Sequence, residues 1–210
     1  MMTARVEKVL TSGLHILDGA ATAVDNNVWL VGDDREVMVV DAAHDHELVL
    51  DAIGDRRVTA IVCTHGHNDH INASVPLADE VGAPVLIHAE DRALWDRVNP
   101  DRAPDWTLSD SEVLTVAGID LEVLHTPGHT WGSVCLHAVE QAWLFSGDTV
   151  SADGRGATGR SCSDFPVTIR SISTRLLGLD PATTVHPGHG PTTTIGAESP
   201  RLEELLVRSA

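Results

Sequence analysis

Short apolar runs recur along the chain at Val28–Val31, Glu36–Val40, Val58–Cys63, Pro84–Ile87, Leu121–Leu124, Gly132–His137 and Trp143–Phe145. Turn residues such as Gly32-Asp-Asp, Gly82-Ala-Pro and Ala117-Gly-Ile-Asp separate them, so each run predicts a strand. Between them, Glu47–Ile53, Ile71–Val81 and Ala89–Val98 predict helices. Later, Asp164 can cap a helix whose first turn holds Pro166 and whose one face carries Ile169, Ile172 and Leu176. A closing helix over Ser199–Val207 carries Leu202, Leu205 and Leu206. Hairpin-like strand pairs beside βαβ units predict an α/β protein with mixed sheets. No linker or low-complexity tract divides the chain, and its halves echo each other loosely, each with strands leading into a Gly-His loop.

Composition narrows the picture. A chain of 210 residues, 42% hydrophobic, can bury a sizeable core, and one domain over residues 1–210 is the expectation. The formal charge of −17, from 31 acidic and 14 basic residues, repels a phosphate backbone and an anionic membrane surface. The expected partner is therefore a small-molecule substrate, with no nucleic acid and no membrane. Cys63, Cys135 and Cys162 form no Cys-x-x-Cys pair and no disulfide framework, which fits a reducing compartment. The first residues, Met-Met-Thr-Ala-Arg-Val-Glu-Lys, lack an apolar leader core, and no run reaches membrane-spanning length, so a cytoplasmic location is expected.

The chemistry concentrates after the Val58–Cys63 run. Thr64-His-Gly-His-Asn-Asp-His70 places His65, His67, Asp69 and His70 within six residues, all types that bind zinc, iron, manganese or nickel. The bland reading, a solvated histidine-rich loop, weakens once three more loops are counted. These are Thr126-Pro-Gly-His129-Thr, Ser146-Gly-Asp148-Thr and His186-Pro-Gly-His189-Gly, each following an apolar run. Loops leaving the carboxyl ends of strands are where polar groups from distant sequence converge in α/β sheets.

With these four loops in this order, the chain resembles the metallo-β-lactamase superfamily, and within it the glyoxalase II-like (hydroxyacylglutathione hydrolase-like) hydrolases. The likeness runs from about Val28 to Pro200 and includes the connecting text Leu108 to Val123. It implies a four-layer αββα sandwich of two mixed β-sheets, with two divalent metal ions at one edge. Zinc is the first expectation, with iron or manganese as alternatives. By the resemblance, His65, His67 and His129 would hold one ion and Asp69, His70 and His189 the other, with Asp148 bridging and Asp41 supporting from behind. Asp148 and Asp69 would be the carboxylates at the catalytic centre. Two such ions can share a hydroxide near neutral pH and polarise a carbonyl. A thioester suits them, since a thiolate of parent pKa about 8.5 leaves without obligatory protonation.

Departures separate the branches. Zinc β-lactamases typically lack the bridging aspartate, and superfamily lactonases commonly use a tyrosine, of which this chain has none. The charge of −17 argues against the RNA-processing branch, and there is no room for the flavodoxin-like domain of flavo-diiron proteins. Glyoxalase II usually adds a C-terminal extension that grips glutathione, whereas this chain reaches only Ala210. Arg155 and Arg160 are the remaining candidates for an anionic substrate tail, and Trp131 for a pocket wall; each also reads as an ordinary surface or structural residue. Gly154-Arg-Gly-Ala-Thr-Gly159 matches a dinucleotide fingerprint but neither follows a convincing strand nor opens a helix. His44 and His46, near Asp41, read as a solvated loop ahead of a place on the pocket rim, His125 and His186 as donors supporting the ligands, and His15, His88 and His137 as structural or exposed. The competing functions are a mononuclear iron persulfide dioxygenase using His65, His129 and Asp148, and a non-catalytic metal-binding module.

Overall fold

The computed structural model describes residues 4–152, 154–155 and 163–209. Arg160 and Cys162 lie outside the described residues, as do the side chains of Arg155, Leu205 and Leu206. The first sheet contains β1 (Arg5–Leu17), β2 (Ala20–Gly32), β3 (Glu36–Val40), β4 (Arg57–Val62), β5 (Val85–His88) and β6 (Trp106–Leu108), in that spatial order. Its β1–β2–β3 part is antiparallel and its β3–β4–β5–β6 part parallel. The chain then forms β7 (Val113–Val116), β8 (Ile119–His125), β9 (Val134–Ala138) and β10 (Trp143–Gly147). A short ribbon follows, β11 (Val150–Ser151) with β12 (Gly154–Arg155), before β13 (Thr184–Pro187) and β14 (Thr193–Thr194). The second sheet runs β14-β13-β10-β9-β8-β7, with β10 and β13 its parallel pair.

Helices cover both outer faces. On one side lie α1 (His46–Ile53), α2 (Asn68–Ile71), α3 (Ser74–Val81) and α4 (Arg92–Val98); on the other, α5 (Phe165–Ser171) and α6 (Ile195–Ser209). Alternation along each strand distributes side chains to the layers. In β3, Val37 and Val39 pack with Val49, Ile53, Leu77 and Trp95 of the helices. Met38 and Val40 instead meet Val123, Leu136 and Phe145 of the opposite sheet. Leu124, Cys135, Leu144 and Val185 pack outward against Ile172, Leu176, Ile195 and Leu202. Strands buried on both faces are apolar at every position, which is why the runs read as continuous rather than alternating. The result is the expected αββα sandwich. Cys63 and Cys135 are buried and unpaired, and burial pushes their thiols up to about 12 and about 11. Among the described residues no helix is long and apolar enough to cross a membrane.

Several boundaries differ from the sequence reading. The helix expected over Ile71–Val81 is two helices, α2 and α3, because the Ala73 N–H donates to Ala42 O of the neighbouring loop at 3.2 Å. α2 therefore includes Asp69 and His70. The last helix starts four residues before Ser199, where Thr194 Oγ1 accepts from Ala197 N at 3.1 Å, and Pro200 lies inside it. Asp164 does cap α5, accepting from Val167 N at 3.1 Å. β1, β6, β7, β11, β12 and β14 were not anticipated. In β1 the pattern is blurred because this edge strand leaves Leu10, Leu14 and Ile16 exposed while burying Val9, Thr11 and Leu17.

His186 departs from expectation. Its ring stacks on Phe145 at 4.9 Å and meets Trp29 at 4.7 Å, and neither nitrogen has a partner among the described residues. It is a core ring, not a donor to the ligands, because β13 turns it away from the strand-end loops. Burial lowers its pKa to about 4. Unfolding restores the ordinary value of 6.5, so the unfolded chain binds the extra proton between these values and stability falls as pH drops through that window. The loss from this group reaches about 3 kcal/mol below about pH 4. We expect His186→Phe to hold parent stability near neutrality and to lose less on acidification, measured by urea unfolding between about pH 7.5 and about pH 4.5. An identical acid loss in parent and variant would refute this account.

Candidate metal centre

Five strand ends open onto one edge of the sandwich. β3 ends at Asp41, β4 leads through Thr64 into His65 and α2, and β8 leads into the loop of His129. β10 leads to Asp148, and β13 to His189. Backbone bonds stitch the loops together, across the two sheets from Val134 N to Thr64 O and from Asn27 N to Gly188 O, and within the second sheet from Gly188 N to Gly147 O, each 2.8 Å.

The side chains gather in two groups. His67 Nδ1 lies 3.1 Å from His65 Nε2 and 3.0 Å from His129 Nε2. His189 Nε2 lies 3.2 Å from His70 Nε2 and 3.4 Å from Asp69 Oδ2, with His70 Nε2 3.8 Å from that same oxygen. Asp148 reaches both groups. Its Oδ2 is 3.4 Å from His129 Nε2 and 3.6 Å from His189 Nε2, and its Oδ1 is 3.5 Å from His70 Nε2. Ligands at about 2.0–2.1 Å from a tetrahedral ion sit roughly 3.3 Å apart, so this donor set fits a divalent cation in each group.

Surrounding groups aim the imidazoles. Asp41 Oδ2 accepts from His70 Nδ1 at 3.0 Å, leaving His70 Nε2 to face its group. Both Asp41 oxygens also accept from Thr64, from its N–H and its hydroxyl, each at 2.7 Å. Asp41 thus stands behind the site. The Asp25 carbonyl accepts from His189 Nδ1 at 2.7 Å in the same manner. Gly188 leaves room that a Cβ would take from His70 and Asp148, and Gly147, at φ +48°, leaves room beside Thr64.

Electrostatics completes the ligand character. Burial, reinforced by the neighbouring imidazoles, holds His65 well below its usual range and His67 at about 3, so both offer lone pairs. Burial pushes the Asp148 carboxyl up, but His70 and His189 outweigh it and hold Asp148 well below the usual carboxylate range. Asp69 is likewise lowered against its burial, by His70 and His15. Burial works against a charge on His70, yet Asp148, Asp69 and Asp41 raise it. A proton on His70 here substitutes for the positive charge that the three carboxylates call for.

Several neighbours of the site were missed or misread. His15 reaches from β1 to place Nδ1 2.7 Å from Asp69 Oδ1, and its ring lies 5.3 Å from that of His67. Buried Asn26 donates to Asp69 Oδ2 at 3.3 Å, while its carbonyl accepts from His44 Nε2 at 2.9 Å. Asn27 Nδ2 donates to the carbonyls of Pro187 and Gly190 at 3.0 and 2.8 Å, holding the His189 loop. Two amides opening the apolar end of a strand, Asn26-Asn27-Val28, were the available signal. His44 is half-buried and bonded to Asn26 and Asn72, not solvated, because Asn72 Oδ1 fixes its backbone at 2.6 Å. His125 supports no ligand; its Nε2 pairs with the Trp131 carbonyl at 2.9 Å, and its ring stacks on His88 at 4.1 Å. The same Nε2 lies 3.7 Å from Glu90 Oε2, so His88, Glu90 and His125 form an outer trio. Trp131 leaves 48% of its surface exposed beside the His129 loop. Arg155 has its backbone in β12.

The comparisons with known proteins agree with this geometry. A family model described as the metallo-beta-lactamase superfamily matches residues 21–189. Hydroxyacylglutathione hydrolase GloC of Haemophilus influenzae is 31% identical over 194 residues, covering 84% of this chain and 91% of the relative. Among solved structures, BLEG-1 B3 metallo-beta-lactamase superposes with a TM-score of 0.79 at 29% identity, covering 93% of this chain and 99% of that one. TTHA1623 in a di-iron-bound form gives 0.75 at 30%, covering 88% and 96%. The strand order, the histidine–aspartate clusters and these matches together place the chain in the metallo-β-lactamase superfamily.

Proposed function

We propose that the chain is a hydrolase with a two-metal centre that cleaves a small thioester, such as a hydroxyacyl group carried on a low-molecular-weight thiol. The observation that carries this reading is the placement of Asp148, within 3.4–3.6 Å of imidazoles from both groups. His65, His67 and His129 would hold one ion, and Asp69, His70 and His189 the other. Two bound divalent ions, zinc foremost with iron or manganese as alternatives, would supply a water of pKa about 7 and polarise the substrate carbonyl.

The residues present favour a leaving group that departs as an anion. Asp69 accepts on both oxygens, Oδ1 from His15 and Oδ2 from Asn26, so it holds no proton for a leaving amine. Asp148 is likewise held ionised. A thiolate needs no such donor. Trp131 would wall the mouth beside His129, with Arg155 and Arg160 as the groups proposed for an anionic tail. GloC is named a hydroxyacylglutathione hydrolase, which supports the same thioester class here.

Two experiments test the proposal. Elemental analysis of the purified chain, paired with an acyl-thiol and persulfide panel, is expected to give two divalent ions and acyl-thiol turnover. A single ferrous ion with persulfide-dependent oxygen uptake would establish the dioxygenase instead. Bound metal with neither turnover would indicate a binding module. Asp148→Asn keeps the shape but removes the shared charge. It is expected to lower metal content below two and turnover by at least about 100-fold, beyond the usual loss for groups one step behind a ligand. Full metal content at a near-parental rate would remove Asp148 from its bridging role.

A further inference from the structure

Asp91 is 1% exposed at the end of the turn Ala89–Asp91 that leads into α4, and no motif of the site includes it. Its carboxylate nevertheless ties together both loops of the first group. Oδ2 accepts from Gly66 N at 2.7 Å and from Thr130 Oγ1 at 2.6 Å, and Oδ1 accepts from Gly132 N at 2.7 Å. Gly66 lies between His65 and His67, and Thr130 follows His129. Both glycines are required by this approach. A Cβ on Gly132 would stand 2.7 Å from Asp91 Cγ, and one on Gly66 would stand 2.7 Å from Leu94 Cβ and 3.1 Å from Asp91 Cβ. Thr130 is itself held, since its N–H and hydroxyl both meet Ser133 Oγ, at 3.0 and 2.8 Å.

The second group is held by other means: His70 by Asp41, His189 by the Asp25 carbonyl, and Asp69 by His15 and Asn26. None of these bonds involves Asp91. We infer that Asp91 is a positioning residue that sets the spacing of His65 and His67 against His129, and so tunes metal affinity at the first group alone. This rests on the two-metal reading above.

Zinc affinity of the full chain, measured by chelator competition in two backgrounds, tests the inference. His189→Ala cripples the second group and reports the first; His129→Ala does the reverse. Asp91→Asn is isosteric but sets an amide N–H₂ against one of the donors. In the His189→Ala background it is expected to weaken zinc binding by about 10–100-fold, the usual cost of losing a group behind the ligands. Thr130→Val should weaken it by roughly 10-fold and Thr130→Ser restore it to within about 3-fold, while the His129→Ala background changes by no more than about 2-fold. Equal weakening in both backgrounds, or a lower melting temperature with unchanged zinc affinity, would show a general structural role and overturn the inference. Parent backgrounds that bind no zinc would instead bring down the two-metal reading, and this inference with it.

Discussion

The imidazoles of His65, His67, His70, His129 and His189 and the carboxylates of Asp41, Asp69 and Asp148 occupy one edge of the sandwich, where burial strips all but His189 and Asp148 of nearly all their water. Ionised groups so placed are costly unless paired, and imidazole nitrogens crowd within 3.0–3.2 Å of one another. Divalent cations relieve both problems at once, and the remaining architecture serves that arrangement. It requires strand ends from both sheets to stay in register at one edge. The bonds between Val134 and Thr64, Gly188 and Gly147, and Asn27 and Gly188 do this without side-chain freedom. The apolar layer beneath, including Met38, Val40, Leu136 and Phe145, fixes the distance between the sheets.

The motif loops were legible because each combines a metal-binding residue with a strand end and a glycine. Four such loops specify their own convergence, since parallel strands deliver their carboxyl ends to the same side. The direction each imidazole faces was not legible. It depends on Asp41, which lies 29 residues from His70, and on the backbone carbonyl of Asp25. A carbonyl leaves no trace in a residue pattern. His186 shows the opposite error: proximity to a motif suggested a role, while strand alternation turned the ring into the core between Phe145 and Trp29.

The long β1–β2 hairpin explains most of what was overlooked. Its pairing sets His15 opposite Thr22 and Thr11 opposite Asn26, so the hairpin presents polar side chains to the site at two points along its length. Nothing in the apolar rhythm of β1 announces this, because an edge strand is only half covered and tolerates Leu10, Leu14 and Ile16 in solvent. Asp91 was hidden for a different reason. It opens a predicted helix, where an aspartate is an ordinary capping residue, and only the folded loops reveal that its acceptors are spent on Gly66, Thr130 and Gly132.

These supports divide the site unequally. The first group rests on buried parts throughout: His65, His67 and His129 are each under 9% exposed, and the carboxylate clamping their loops is buried as well. The second group includes His189, whose side chain is 32% exposed, and three of its supports, His15, the Asp25 carbonyl and Asn26, come from the edge hairpin. Asp148, 14% exposed, lies between them. Solvent therefore reaches the second group, at His189, more readily than the first. There both Asp69 oxygens already accept hydrogen bonds, and Asp148 is held ionised. The thioester reading proposed above would draw on that lack of a carboxyl proton, because a thiolate leaves as a stable anion where an amine does not.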